Sequence, residues 1–417
     1  MDDPLVISPV RPTKLRSAMK PLLRMLQLTG FFPSSAGNSF CVSASLLLLS
    51  LAFLLINILS FGFTIHVIRM QAADYGVLSI DCISSIMNGL KPCHGALNLL
   101  ILLLSIGRHK ELLMAMFKVD KMFLANFQIP IPMSYRNGTV FVATVIVILL
   151  TFGTRISQYI ILGEQPGFSK IADISVILVP FLSVWQLLPL IYFIYLTSIN
   201  KFWYVNLDRC LAYDSQLQRH SLRFYYEQFL AITAVTSKLG QLFNPFILFS
   251  IVHSGVVLCL TIYFVTQSKE DRLIPEDMAP FDKLITYYHL IWSGFQILVA
   301  FAFLLAICTV GTRTNEKARA IISTVLTIFP HTDSDRHVVV CFVHKVASQF
   351  NWGLTVWRAF PIERHLFFTI VSIMGTYAVV LLKLRQGNAV CPSVAKIYEL
   401  LKASGLNITN VLTASAG

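Results

Sequence analysis

The stretch that decides the reading is Leu366–Leu384, LFFTIVSIMGTYAVVLLKL. It is almost wholly apolar and about as long as the ~20 residues a helix needs to cross a bilayer's hydrocarbon core. Gly375, Thr376 and Tyr377 interrupt it, and Lys383 lies one residue from its end. At helical spacing Ile373, Thr376, Val380 and Lys383 share one face, while Tyr377, Leu381 and Leu384 share another. A span surrounded by lipid has little need of a threonine followed by a charge. One of these faces meets something other than lipid.

Working outward, 55% of the 417 residues are hydrophobic and only 13% are charged, with a mean hydropathy of +0.68. So little charge does not keep a chain of this length in solution. The apolar runs are too long and too uniform for barrel strands, which leaves an all-α, polytopic membrane protein. The formal charge of +12 is distributed as membrane topology requires, so nucleic acid is not an expected partner. Eight cysteines are scattered without a CxxC pair, which argues against a disulfide framework and a zinc site. No metal or cofactor is expected. The N-terminus lacks the apolar core of a signal peptide.

Seven apolar runs stand out, at residues 40–67, 77–106, 139–162, 171–199, 243–266, 284–310 and 366–384. They divide the chain into an N-terminal segment (1–39), a seven-helix membrane domain (40–384) and a C-terminal tail (385–417). Within the domain, residues 200–242 and 311–365 connect spans on one side. An amphipathic segment at residues 21–33 suits the inner membrane surface. Leu222, Tyr225, Phe229, Ile232 and Val235 recur at helical spacing, so residues 211–242 read as helix, an inner extension of the spans, as do residues 318–350 apart from Pro330.

Lys and Arg fix the orientation. The connecting segments on the N-terminal side carry 22 of them and the opposite side carries 8. The N-terminus is therefore expected in the cytoplasm and, after seven spans, the C-terminus outside. This is the reverse of a G-protein-coupled receptor; Asp208-Arg209-Cys210, which superficially matches that family's inner motif, follows the fourth span rather than the third. The sequon at Asn137 falls inside and is expected to be silent, whereas Asn407 falls outside and is a candidate for glycosylation.

The seventh run resembles the last span of the insect gustatory receptors, which belong with the odorant receptors to the seven-transmembrane chemoreceptor channels. That span ends in Thr-Tyr, five mostly apolar residues, then Gln-Phe; here Thr376 and Tyr377 are followed by Lys383 and Leu384. The upstream Gln349-Phe350 and Trp357–Arg364, and the N-terminal Leu28–Pro33, are also similar to the family. Lys383 and Leu384 depart from its pattern. The resemblance implies a homotetramer or heterotetramer, with Ile373, Thr376, Val380 and Lys383 lining a central pore. It also implies an inner anchor, and a pocket for a small-molecule tastant between the outer halves of the other spans. Function follows as a ligand-gated cation channel in the plasma membrane of gustatory neurons, without an enzymatic step.

Polar and aromatic residues at one expected depth are the ligand-binding candidates: Arg155, Gln158, Tyr159, Trp185, Gln186, His253, Tyr287, Tyr288, Trp292 and Gln296. Aromatic walls with a few hydrogen-bonding groups suit a small molecule, although Tyr and Trp also favour the membrane interface in their own right. Arg155 needs a partner inside the membrane, and Asp81 and Asp173 are candidates. Lys91-Pro92, with Asn88 and His94 nearby, marks a kink in the second span. Lys383 reads either as a snorkelling anchor or as a ring of charge that weakens cation flow. An odorant-receptor-like subunit and a secondary transporter are the alternatives; no repeat favours the transporter, and no catalytic motif marks an enzyme.

Overall fold

Backbone polar groups find no water inside a bilayer, and this chain satisfies them with helices. The computed structural model describes residues 15–32, 40–75, 80–131, 145, 149, 153, 169–217, 220–270, 280–328 and 332–390. In order, the helices are α1 (Leu15–Leu28), α2 (Phe40–Tyr75), α3 (Ile80–Leu104), α4 (Ile106–Phe127), α5 (Ser169–Leu217), α6 (Leu222–Glu270) and α7 (Pro280–Thr327). Then follow α8 (Asp333–Ala347), α9 (Gln349–Trp352), a hairpin of β1 (Thr355–Val356) and β2 (Phe360–Pro361), and α10 (Arg364–Val390). The third apolar run, 139–162, lies outside the described residues apart from three isolated helical positions.

Among the described residues, three helical stretches are long and apolar enough to cross a membrane: Ser43–Ala73, Leu222–Tyr263 and Ser293–Thr327. A fourth is a broken pair, Ser85–Leu104 and Ile106–Phe127, bent by 68°. α2 exposes Leu47, Leu48, Leu51, Leu55, Leu59 and Phe63, a surface that only lipid tails cover without cost.

α5, α6 and α7 have 49, 49 and 48 residues. At 1.5 Å per residue each is roughly 70 Å long, more than twice the hydrocarbon thickness. Their far ends form a bundle whose core continues that of the rest of the helices. Leu222, Tyr225, Phe229, Ile232 and Val235 are all buried there, with Tyr204 and Leu207 of α5, Ile321 and Val325 of α7, and Phe342 of α8. Residues 211–242 are not one helix, however. α5 stops at Leu217, and α6 restarts after Ser221, whose hydroxyl and carbonyl both accept from the Phe224 N–H at 3.4 and 3.0 Å. The side-chain periodicity runs through the break because both helices face the same core.

The amphipathic N-terminal segment also differs from expectation. α1 turns Leu15, Met19, Leu22 and Leu26 into the protein core rather than towards lipid. Its partner is α4, which supplies Leu112, Met116, Val119 and Phe123, and whose Asp120 carboxylate accepts from the Leu15 N–H at 3.2 Å. The second span does not end cleanly either: it breaks at Ser105, and α4 runs on beside α5, with His109 bonded to Tyr192 and Phe123 near Trp203.

The hairpin is the one departure from all-helical structure among the described residues. Thr355 pairs with Pro361 and Val356 with Phe360, and the Ala359 N–H donates to the Val356 carbonyl at 2.9 Å. Trp357 and Arg358 take left-handed φ values of 50° and 55°. Two consecutive non-glycine residues in that region store roughly 1–2 kcal/mol each, so something must hold the turn.

Candidate ligand site and pore helix

What holds it is Asn315 of α7, fully packed beneath the hairpin. Its amide donates to the carbonyls of Leu354 at 2.9 Å and Ile362 at 3.1 Å, and its oxygen accepts from the Leu354 N–H at 3.0 Å. Gly311, one turn earlier, lies so close that an added Cβ would stand 2.7 Å from Ile362 Cγ2. Two ion pairs then clamp the entry to α10: Arg364 to both Glu316 oxygens, at 2.6 and 3.1 Å, and Arg319 to Glu363 at 2.8 Å. Arg364 holds the Glu316 carboxyl below the usual glutamate range. The hairpin thus fixes the start of α10 to α7.

From that clamp α10 is attached along one stripe. Met374 and Ala378 are buried, and Phe367 and Ile370 pack with Met374 against Val257 and Leu258 of α6 and Ala300, Leu304 and Cys308 of α7. Gly255 lets α6 approach closely, since a Cβ there would meet Met374 Cε at 2.9 Å. The Cys259 thiol donates to the Met374 carbonyl at 3.6 Å. On the other side Ile373, Thr376, Val380 and Lys383 are all exposed, and Tyr377 is 62% exposed. At 3.6 residues per turn the Ile373–Lys383 face lies about 145° round the helix from the buried stripe. Within one chain nothing described covers it.

A second polar centre lies around Pro92, inside α3. The Lys91 carbonyl accepts from Gln186 Nε2 of α5 at 3.2 Å. His94 Nε2 meets the Ser250 hydroxyl of α6 at 3.2 Å, and the His94 ring stacks on His253 with centroids 4.4 Å apart and planes 13° from parallel. Phe303 of α7 presents an edge to His94. Four helices therefore converge on one site.

Of the residues singled out from sequence, the structure brings Gln186 and His253 together here. Trp185 points elsewhere: its Nε1 donates to the Thr29 carbonyl at 3.1 Å, and its ring lies 5.0 Å from Phe53. It seals the junction of α1 and α2. Gln296 is half-buried on α7, whereas Tyr287, Tyr288 and Trp292 belong to that helix with side chains outside the described residues. Arg155, Gln158, Tyr159 and Asn407 lie outside the described residues, as do the side chains of Asp81 and Asp173. His94 entered the sequence reading only as a neighbour of the kink, and Ser250 and Asn315 carried no signal at all.

The family model for the 7tm chemosensory receptor matches residues 19–383. The chain belongs to that family. This 7tm chemosensory receptor is 32% identical over 342 residues to the Caenorhabditis elegans protein named "Probable G-protein coupled receptor egl-47", covering 80% of this chain. The match spans 66% of that relative's length, a little under two thirds. Its fold is that of an insect olfactory receptor, OR5 from Machilis hrabei, with a TM-score of 0.60 at 12% identity, over 89% of this chain and 98% of the other. The same receptor in complex with eugenol gives a TM-score of 0.57 at 11% identity. The receptor is accordingly a multi-pass, all-α membrane protein of the insect olfactory receptor fold. Its nematode relative takes the likeness beyond insects.

Proposed function

We propose that this chain is a subunit of a ligand-gated cation channel opened by a small-molecule tastant. Four copies, alike or mixed with other gustatory receptors, surround a pore lined by α10 in the plasma membrane of gustatory neurons. The observation that carries the reading is the attachment of α10 by a single stripe. Its opposite face combines apolar residues with Thr376 and Lys383, a composition suited to a hydrated axis better than to lipid. The ligand would enter among the outer parts of α3, α5, α6 and α7 and the third span. The candidates are those read from sequence: Arg155, Gln158, Tyr159, Trp185, Gln186, His253, Tyr287, Tyr288, Trp292 and Gln296. A ligand opens such a channel only by binding the open state more tightly than the closed one.

The eugenol complex of the Machilis olfactory receptor lends weight to a small organic ligand, and an odorant-type stimulus is the nearest variant of the reading. The name of the nematode relative favours a second reading, signalling through a G protein. The two differ in orientation: the 22-to-8 distribution of Lys and Arg supports a cytoplasmic N-terminus. The division into an N-terminal segment, seven-helix domain, inner anchor segments and outer tail follows from the same orientation. Whole-cell recording from cells expressing the chain, without added G protein, tests the channel reading. Ligand-evoked cation current that survives G-protein blockade supports it; a response abolished by that blockade favours the second.

A further inference from the structure

The outward face of α1 is a ladder of cations. Arg16, Lys20 and Arg24 recur four residues apart, all exposed, on a helix without an acidic residue. Among the described residues none of the three is in an ion pair. The two acids of the neighbouring α4 are already engaged: Glu111 pairs with Lys238 at 2.8 Å, and Asp120 accepts from the Leu15 N–H at 3.2 Å. Lys121, next to Asp120, is exposed and adds a fourth positive charge at that end. The other end of α1 sets the depth. Leu28 closes the same stripe, 69% exposed, and a Cβ added at Gly30 would stand 3.0 Å from Ser50 Cα of α2. Within one turn of Ser50, Leu47 and Leu48 lie on the lipid-facing surface of α2. The C-terminal end of α1 therefore meets acyl chains. At 1.5 Å per residue, Arg24, Lys20 and Arg16 follow along the helix at about 6, 12 and 18 Å from Leu28. Cations strung out from the hydrocarbon edge match a headgroup that extends away from the bilayer.

We propose that this ladder, with Lys121, binds a multiply phosphorylated inositol lipid of the inner leaflet. Phosphatidylserine carries its charge close to the glycerol, within reach of Arg24 alone. Phosphates on an inositol ring stand further out, toward Lys20 and Arg16. Clustered Lys and Arg beside a span attract such headgroups, and a guanidinium holds a phosphate through paired hydrogen bonds. The inference goes beyond the channel reading and takes from it only the cytoplasmic N-terminus. A lipid held there ties α1 to α4 and to α2, at the junction that Trp185 seals.

The test uses the full chain in phosphatidylcholine nanodiscs containing either phosphatidylinositol bisphosphate or phosphatidylserine at equal total charge. Binding is read as a lipid-dependent rise in unfolding temperature, which does not require the protein to conduct. The bisphosphate is expected to raise it and phosphatidylserine to raise it little. Lys20→Gln with Arg24→Gln should increase the bisphosphate needed for half the rise about thirtyfold, the scale of two surface charges. Arg16→Gln alone should increase it about fivefold, so the test survives a double variant that fails to fold. Arg313→Gln with Arg336→Gln removes two exposed cations from α7 and α8 and should leave binding as it is. Soluble inositol trisphosphate should compete only weakly, having no acyl chain to lay against Leu28. Equal stabilisation by the two lipids, equal loss in both double variants, no loss in the α1 variants, or a soluble headgroup as tight as the lipid overturns the proposal. Selective binding of the bisphosphate without ligand-evoked current supports this site and counts against the channel instead.

Discussion

Asn315 shows how much a single side chain carries in this fold. It bridges three backbone groups of the Leu354–Ile362 segment, and removing it strands them beneath a strained turn. Asn315→Ala should destabilise the chain by about 3 kcal/mol, measured by denaturant unfolding in mild detergent, whereas Ala at the exposed Asn351 should have little effect. Nearby, the Glu316–Arg364 pair gives a pH signature. Because the folded chain holds the Glu316 carboxyl below its ordinary value, the contribution is complete above the glutamate range. It is lost as pH falls through the lower, folded value. The denaturant-unfolding midpoint should therefore hold steady near neutral pH and fall below about pH 4; Glu316→Gln should remove that acid step. Neither residue was legible beforehand. A polar residue inside a helical run declares no partner, and the partners of Asn315 come from a hairpin some 40 residues further along. The buried residues Leu222, Tyr225 and Phe229 were legible because burial and helical periodicity are the same fact seen twice.

Among elements, α10 was readable as an apolar helix from its run of residues, and Ile373, Thr376, Val380 and Lys383 as one of its faces from spacing alone. Which face packs was not readable, since all of them are apolar enough to do so. The sequence also passed over one break: residues 211–242 keep one periodicity from α5 into α6. The 68° bend at Ser105, by contrast, falls within a residue of the end of the second apolar run at 106, with Gly107 close by. The hairpin was hidden for a different reason: its tip residues, Trp357 and Arg358, are not the glycine or asparagine that left-handed turns usually recruit. Two consequences belong here. Gly311→Val should push β-branched Ile362 off its contact with α7 and cost about 1–3 kcal/mol, read as a lowered unfolding midpoint. Lys383→Gln should raise cation current through the reconstituted chain by removing a ring of positive charge from the outer end of α10; unchanged current and selectivity would assign Lys383 to the membrane interface.

For the whole molecule, charge and hydropathy gave the class, and the family follows from residues 19–383. The spread of Lys and Arg makes a definite demand: an epitope at Met1 should be stained only after permeabilisation, and one at the C-terminus on intact cells. The central claim is that the uncovered face of α10 borders an ion pathway. Cysteine substitution along that helix, with a water-soluble, charged thiol reagent applied during ligand-evoked current, tests it most directly. The account predicts that the reagent blocks Thr376→Cys and Val380→Cys while leaving Met374→Cys, Ala378→Cys and the unsubstituted channel unaffected. Block at Met374→Cys and Ala378→Cys with none at Thr376→Cys and Val380→Cys would place water on the wrong side of the helix and contradict it.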